Sequence, residues 1–136
     1  MRIIKHLVVH CTASPATATV AGILNYWRET RGWEVPGYHI LIEASGLCHR
    51  LVPNETPSNG VRGHNATSLH VSYIGGIDAK GNPKDTRTAA QKRELLRILR
   101  AWKQAHPAAK IVGHRDFPGV TKACPSFDAK AEYASI

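Results

Sequence analysis

The chain is poor in cysteine, in acidic residues and in long apolar runs, and each shortage excludes something. Three cysteines, Cys11, Cys48 and Cys124, among 136 residues are too few, and odd in number, for a disulfide framework. No segment approaches the ~20 apolar residues of a membrane span, so membrane insertion is not expected. The N-terminus lacks the basic, apolar and small-residue succession of a signal peptide, which leads us to expect synthesis in the cytoplasm. A role outside the cell would then need another factor for release. Ten Asp and Glu face 18 Lys and Arg, a net charge of +8 that favours an anionic partner. Nucleic acid is not the expected one, because no basic cluster is interleaved with stacking aromatics and no reader motif is present. Internal repeats, low-complexity runs and linkers are also missing. Residues 1–136 are expected to form one domain, with a monomer as the default state.

What is present alternates between strand and helix signals. Ile3 to His10 is an apolar, β-branched run of the kind found in buried strands. Thr17 or Thr19 can cap a helix from Val20 to about Arg31, in which Ile23, Leu24 and Trp27 share a stripe. Tyr38–Glu43 and Leu47–Val52 read as two strands joined through Ala44-Ser45-Gly46. Pro53 to Ser68 is a long polar loop, and loops of that length in small domains usually carry function. Leu69 to Ile77 is a further strand, followed by the turn Lys80-Gly81-Asn82-Pro83. Thr88-Ala89-Ala90-Gln91 is a capping box that opens a helix with Leu95, Ile98, Leu99 and Trp102 on one face, ending near Pro107. Lys110–Gly113 is a short strand, and Ser126 or Asp128 starts a terminal helix.

The chemistry gathers at the ends of these elements. His114 and Cys124, with nine residues between them, supply two borderline-soft ligands, and Lys122 places a cation beside the thiol. His10, at the end of the first strand, is the expected third ligand. A His2Cys set leaves one tetrahedral position for water, the arrangement of catalytic rather than structural zinc. Cys11 would face away from the His10 imidazole if the strand continues through it, so Cys11 and Cys48 are read as packed thiols. Asp116 or a backbone carbonyl could fix the His114 ring.

Val9-His10-Cys11-Thr12, Gly37-Tyr38-His39, Gly63-His64-Asn65, Gly75-Gly76-Ile77-Asp78, Lys84-Asp85-Thr86-Arg87-Thr88, Gly113-His114-Arg115-Asp116 and Ala123-Cys124-Pro125 resemble, in order and spacing, the zinc-dependent N-acetylmuramoyl-L-alanine amidases. That group is shared by small phage lysozymes and peptidoglycan recognition proteins, and the undecorated form is most similar to a phage endolysin. The resemblance implies an α/β fold with a central mixed sheet flanked by helices. It also implies a bound zinc ion and hydrolysis of the amide between N-acetylmuramic acid and L-alanine of peptidoglycan. Tyr38 matches the family's catalytic tyrosine, able to orient the attacking water or to donate to the developing oxyanion, and Lys122 matches its second catalytic position. His64 and Trp33 are the residues expected to contact substrate, with a loop-stabilising role as the alternative for His64. One branch of the family carries a glutamate where this chain has Ser72, so a carboxylate base from that strand is not expected. His70 stands where relatives often have glycine, and the sequence does not say whether it reaches the cleft. The competing function is a module of the same fold that binds peptidoglycan without cutting it. Such relatives typically lack the cysteine ligand, which this chain keeps.

Overall fold

The computed structural model describes residues 2–136. Five strands form one mixed sheet: β1 (His6–Cys11), β2 (Ile40–Ile42), β3 (Cys48–Arg50), β4 (Ser68–Tyr73) and β5 (Lys110–Gly113), in the order β3-β2-β4-β1-β5. β4 lies at the centre, and β1 lies between β4 and the edge strand β5, parallel to both; β2 is parallel to β4, and β3 closes the other edge antiparallel to β2. This is the mixed sheet flanked by helices that the sequence resemblance implies.

Alternation along the strands gives the two faces different chemistry. Leu7, Val9, Cys11, Ile40, Ile42, Leu69, Val71 and Tyr73 all pack with Leu95, Ile98, Leu99 and Trp102 of α2 (Ala89–Ala105) in the main core. The intervening positions, among them Val8, His10, His70 and Ser72, turn to the other face, where Val8 joins Val61, Val112 and Phe117 in a smaller cluster. One face is therefore a dry platform for a helix, and the other presents buried imidazoles.

The capping box expected at α2 forms, with the Thr88 hydroxyl accepting from Gln91 N at 3.1 Å and the Gln91 carbonyl accepting from Thr88 N at 3.0 Å. Gln91 is fully buried because its amide also donates to the carbonyls of Ile42 and Ile74, tying the helix to β2 and the end of β4. Thr19 rather than Thr17 caps α1 (Val20–Asn25), and Asp128 rather than Ser126 caps α3 (Ala129–Glu132).

The strands are shorter than their apolar runs. Pairing in β1 starts at His6 rather than Ile3 and continues through Cys11. β4 stops at Tyr73 rather than Ile77, since Gly75 and Gly76 take φ values of 142° and 99° that leave the extended region. A side chain at Gly76 would also lie 2.4 Å from the Cys11 sulfur, so glycine lets this loop close over the end of β1. The helix expected to run from Val20 to Arg31 changes pitch at Tyr26, and Tyr26–Thr30 form a π-helical turn that buries Trp27. None of the residues of α1 itself is buried; the segment walls a cleft instead of capping a core.

Candidate active site

His10, the penultimate residue of β1, delivers its imidazole to the sheet face opposite α2, and the turn after β5 delivers His114. Cys124 arrives from a later loop, held by the Arg115 N–H, which donates to the Cys124 carbonyl at 2.9 Å. The buried Tyr73 hydroxyl donates to the Pro125 carbonyl at 2.7 Å and fixes the same loop from the core side. As a result one ligating atom from each of His10, His114 and Cys124 falls within 4.8 Å of the other two, the spacing a single cation needs. The Cys124 sulfur accepts from the Cys11 N–H at 3.2 Å and lies 3.8 Å from His10 Nδ1.

The electrostatics suit a neutral-imidazole, thiolate donor set. Burial, then the neighbouring His70 and His114 rings, hold His10 well below the ordinary imidazole range. Burial, then Lys122, lowers His114 to about 4. Both rings are thus free of the proton that would compete with a metal. The adjacent Cys11 sulfur, and then burial, push the Cys124 thiol well above its usual value, so its ionisation waits on a cation. The donor set fits zinc: two nitrogens and one sulfur, with no carboxylate to favour a harder ion.

A cleft of about 750 Å³ opens beside these atoms, and His10, Tyr38, His114, Lys122, Cys124 and Trp33 all line it. Tyr38 stands 4.9 Å from His10, centre to centre, and its hydroxyl donates to the Cys11 carbonyl at 3.2 Å. Burial and then the Cys124 sulfur raise its pKa, so it stays a proton donor. Trp27 packs edge-on to Tyr38 at 5.1 Å and stacks with Trp33 at 6.0 Å, which sets the wall of the cleft. Lys122 is exposed at the rim.

His64 is not among the lining residues. Its ring packs against Phe117 at 4.5 Å and approaches His6 at 6.4 Å. Asn65 faces inward, its carbonyl oxygen accepting from the N–H groups of Gly60 and Val61. Asp116 accepts from the Gly113 N–H at 2.7 Å and so shapes the turn ahead of His114. His70, left open by the sequence, is fully buried with its Nδ1 at 2.8 Å from His10 Nε2. Only the strand register, which sets His70 opposite Val8, one step from His10, reveals this contact.

A model of the N-acetylmuramoyl-L-alanine amidase family matches residues 1–127. The chain belongs to that family. It is an amide hydrolase of the N-acetylmuramoyl-L-alanine amidase class. The endolysin of Klebsiella phage KP32 is 38% identical over 128 residues, covering 93% of this chain and 83% of the relative. The endolysin of Escherichia phage T7 is 31% identical over 126 residues, covering 91% and 82%. Among solved structures, the Ph2119 endolysin from the Thermus scotoductus MAT2119 bacteriophage superposes with a TM-score of 0.79 at 27% identity, over 92% of this chain and 79% of that one. Drosophila PGRP-LB shares the fold, with a TM-score of 0.77 at 17% identity over 99% of this amidase and 82% of that chain.

Proposed function

We propose that this amidase is a zinc-dependent endolysin, a single catalytic domain that cuts the amide between N-acetylmuramic acid and the L-alanine of the peptidoglycan stem. The observation that carries this reading is the convergence of His10, His114 and Cys124 at the foot of the cleft. These three residues would hold zinc, which when bound activates water and polarises the scissile carbonyl. The remaining work falls to the chain's own groups. Tyr38 keeps its proton and sits against His10, where its hydroxyl can turn from the Cys11 carbonyl to the substrate oxygen. Lys122, on the rim, offers an ammonium to the negative charge that develops as the carbonyl becomes tetrahedral. Trp33 gives the glycopeptide an aromatic wall.

Among the described residues no helix is long and apolar enough to cross a membrane, and we place the site of action at the cell wall after release by another factor. A monomer suffices, since all six assigned residues line one cleft of a single chain. The test is digestion of purified peptidoglycan with and without a chelator. New L-alanine amino termini without new reducing sugars, lost on chelation and restored by zinc, are the expected result. New reducing ends, or binding without any cleavage, would contradict the proposal.

A further inference from the structure

His70 has no part in the chemistry above, yet both of its ring nitrogens are engaged. Its Nε2 lies 3.0 Å from the Asn65 side-chain oxygen, and its Nδ1 lies 2.8 Å from His10 Nε2. The Asn65 oxygen also receives the N–H groups of Gly60, at 3.1 Å, and Val61, at 2.8 Å. Backbone N–H groups only donate, so the amide must present its oxygen to all three partners. The contact with His70 therefore requires the proton on Nε2, and the neutral ring keeps a lone pair on Nδ1. That lone pair can only accept, which places the His10 proton on Nε2 and bares His10 Nδ1 towards Cys124. A cationic His70 would instead aim a second donor at His10, and both rings are buried, where a charge is costly.

Two further features belong to the same device. A side chain at Gly60 would lie 2.1 Å from His70 Nδ1, so the loop has glycine where the His70 ring packs against it. Behind His70, its backbone N–H donates to His39 Nδ1 at 3.1 Å, and His39 in turn donates from Nε2 to the Thr56 carbonyl at 2.7 Å. The long loop thus grips two imidazoles of the sheet face, at Asn65 and at Thr56.

We infer that Asn65 and His70 form a hydrogen-bonded relay that sets the tautomer and the angle of the His10 ring, making His70 a positioning residue for the metal site. Metal-bound imidazoles commonly donate their second N–H to a carboxylate, a carbonyl or water. Here the acceptor is another imidazole, itself oriented by a loop amide. This inference rests on the metal-site assignment proposed above, but the tautomer can be read without metal.

Long-range proton–nitrogen correlation spectra of the metal-free, nitrogen-15-labelled wild-type protein test it directly. Both His10 and His70 are expected to carry their proton on Nε2; a His10 proton on Nδ1 would overturn the relay, whatever the variants do. Zinc affinity by chelator competition is the second readout. His70→Phe, which keeps the ring but removes both nitrogens, is expected to weaken zinc by about 10–100-fold. His70→Gln, which can accept from His10 and donate to Asn65, is expected to recover most of that loss. Unchanged zinc affinity in a folded His70→Phe protein would contradict the proposal. Failure of the wild type to bind zinc would instead overturn the metal-site assignment, while the tautomer still decides the relay.

Discussion

At the scale of single residues, roles divide according to what each side chain touches. Lys122 is exposed and lines the cleft, so Lys122→Ala should leave the urea unfolding midpoint within error while lowering turnover on peptidoglycan by about 10²–10³-fold, as for loss of one oxyanion donor. A matching drop in stability would show that Lys122 holds the fold instead. His39 behaves in the opposite way. Burial, opposed by its contact with the Thr56 carbonyl, lowers its pKa from 6.5 to about 4. Between these values the unfolded chain binds more protons than the folded one, so stability is full above 6.5 and falls as the pH drops towards 4. The slope is up to about 1.4 kcal/mol per pH unit for this group. His39→Gln should flatten that part of the stability profile, measured by urea midpoints across the acid range; an unaltered slope would show that His39 is not a buried neutral ring. His10, His114 and Cys124 were legible because metal-ligating residue types at strand ends and turns are uncommon in combination. His70 was not, since its meaning depends on which strand lies beside β1 and on a loop amide that no spacing rule points to. For His64 a histidine in a long polar loop suggests substrate or a loop-stabilising role, and its ring packs against Phe117.

Elements were legible where a local interaction ends them. The Thr88 box fixes the start of α2 from four consecutive residues, and the structure agrees. Strand ends were not, because an apolar run continues for as long as burial does, while pairing stops where the neighbouring strand or a glycine turns away. That is why Tyr38 lies ahead of β2 and reaches the cleft rather than filling the sheet. The Asp85-Thr86-Arg87-Thr88 segment shows its meaning only in three dimensions. Arg87 is buried, pairs with Asp85 at 2.9 Å and Glu132 at 2.7 Å, and lies 3.4 Å over the Phe127 ring. It clamps α3 and the residues just after Cys124 onto the core. The two carboxylates are partly exposed and regain water when the partner is removed, so the loss is mainly of charge-assisted hydrogen bonds and packing. Arg87→Ala is expected to cost about 2–3 kcal/mol in urea unfolding. A change of a few tenths would mean that the clamp is marginal.

For the whole molecule, the class of fold was legible through the family resemblance, whereas the strand order was not. Nothing local says that the first strand ends up between β4 and β5, and it is this order that sets His10 beside both His114 and His70. The net charge of +8 also acts at this scale. On α2, Lys92, Arg93 and Arg100 are exposed, whereas Arg97 is paired with Glu94 at 2.9 Å and Lys103 donates to the Ala109 carbonyl. A field of this kind is screened beyond roughly 8 Å at physiological ionic strength. Digestion of intact, anionic walls should therefore slow as salt is raised, while cleavage of a small soluble muropeptide should change much less. Equal salt dependence on both substrates would assign the effect to the cleft rather than to the overall charge.

The zinc assignment is tested most directly by X-ray absorption of the zinc-loaded protein, compared with Cys124→Ser. One sulfur and two imidazole nitrogens are expected around the metal in the wild type, with the sulfur contribution gone in the variant. A wild-type shell of oxygen and nitrogen alone, or a sulfur signal that survives the substitution, would contradict it.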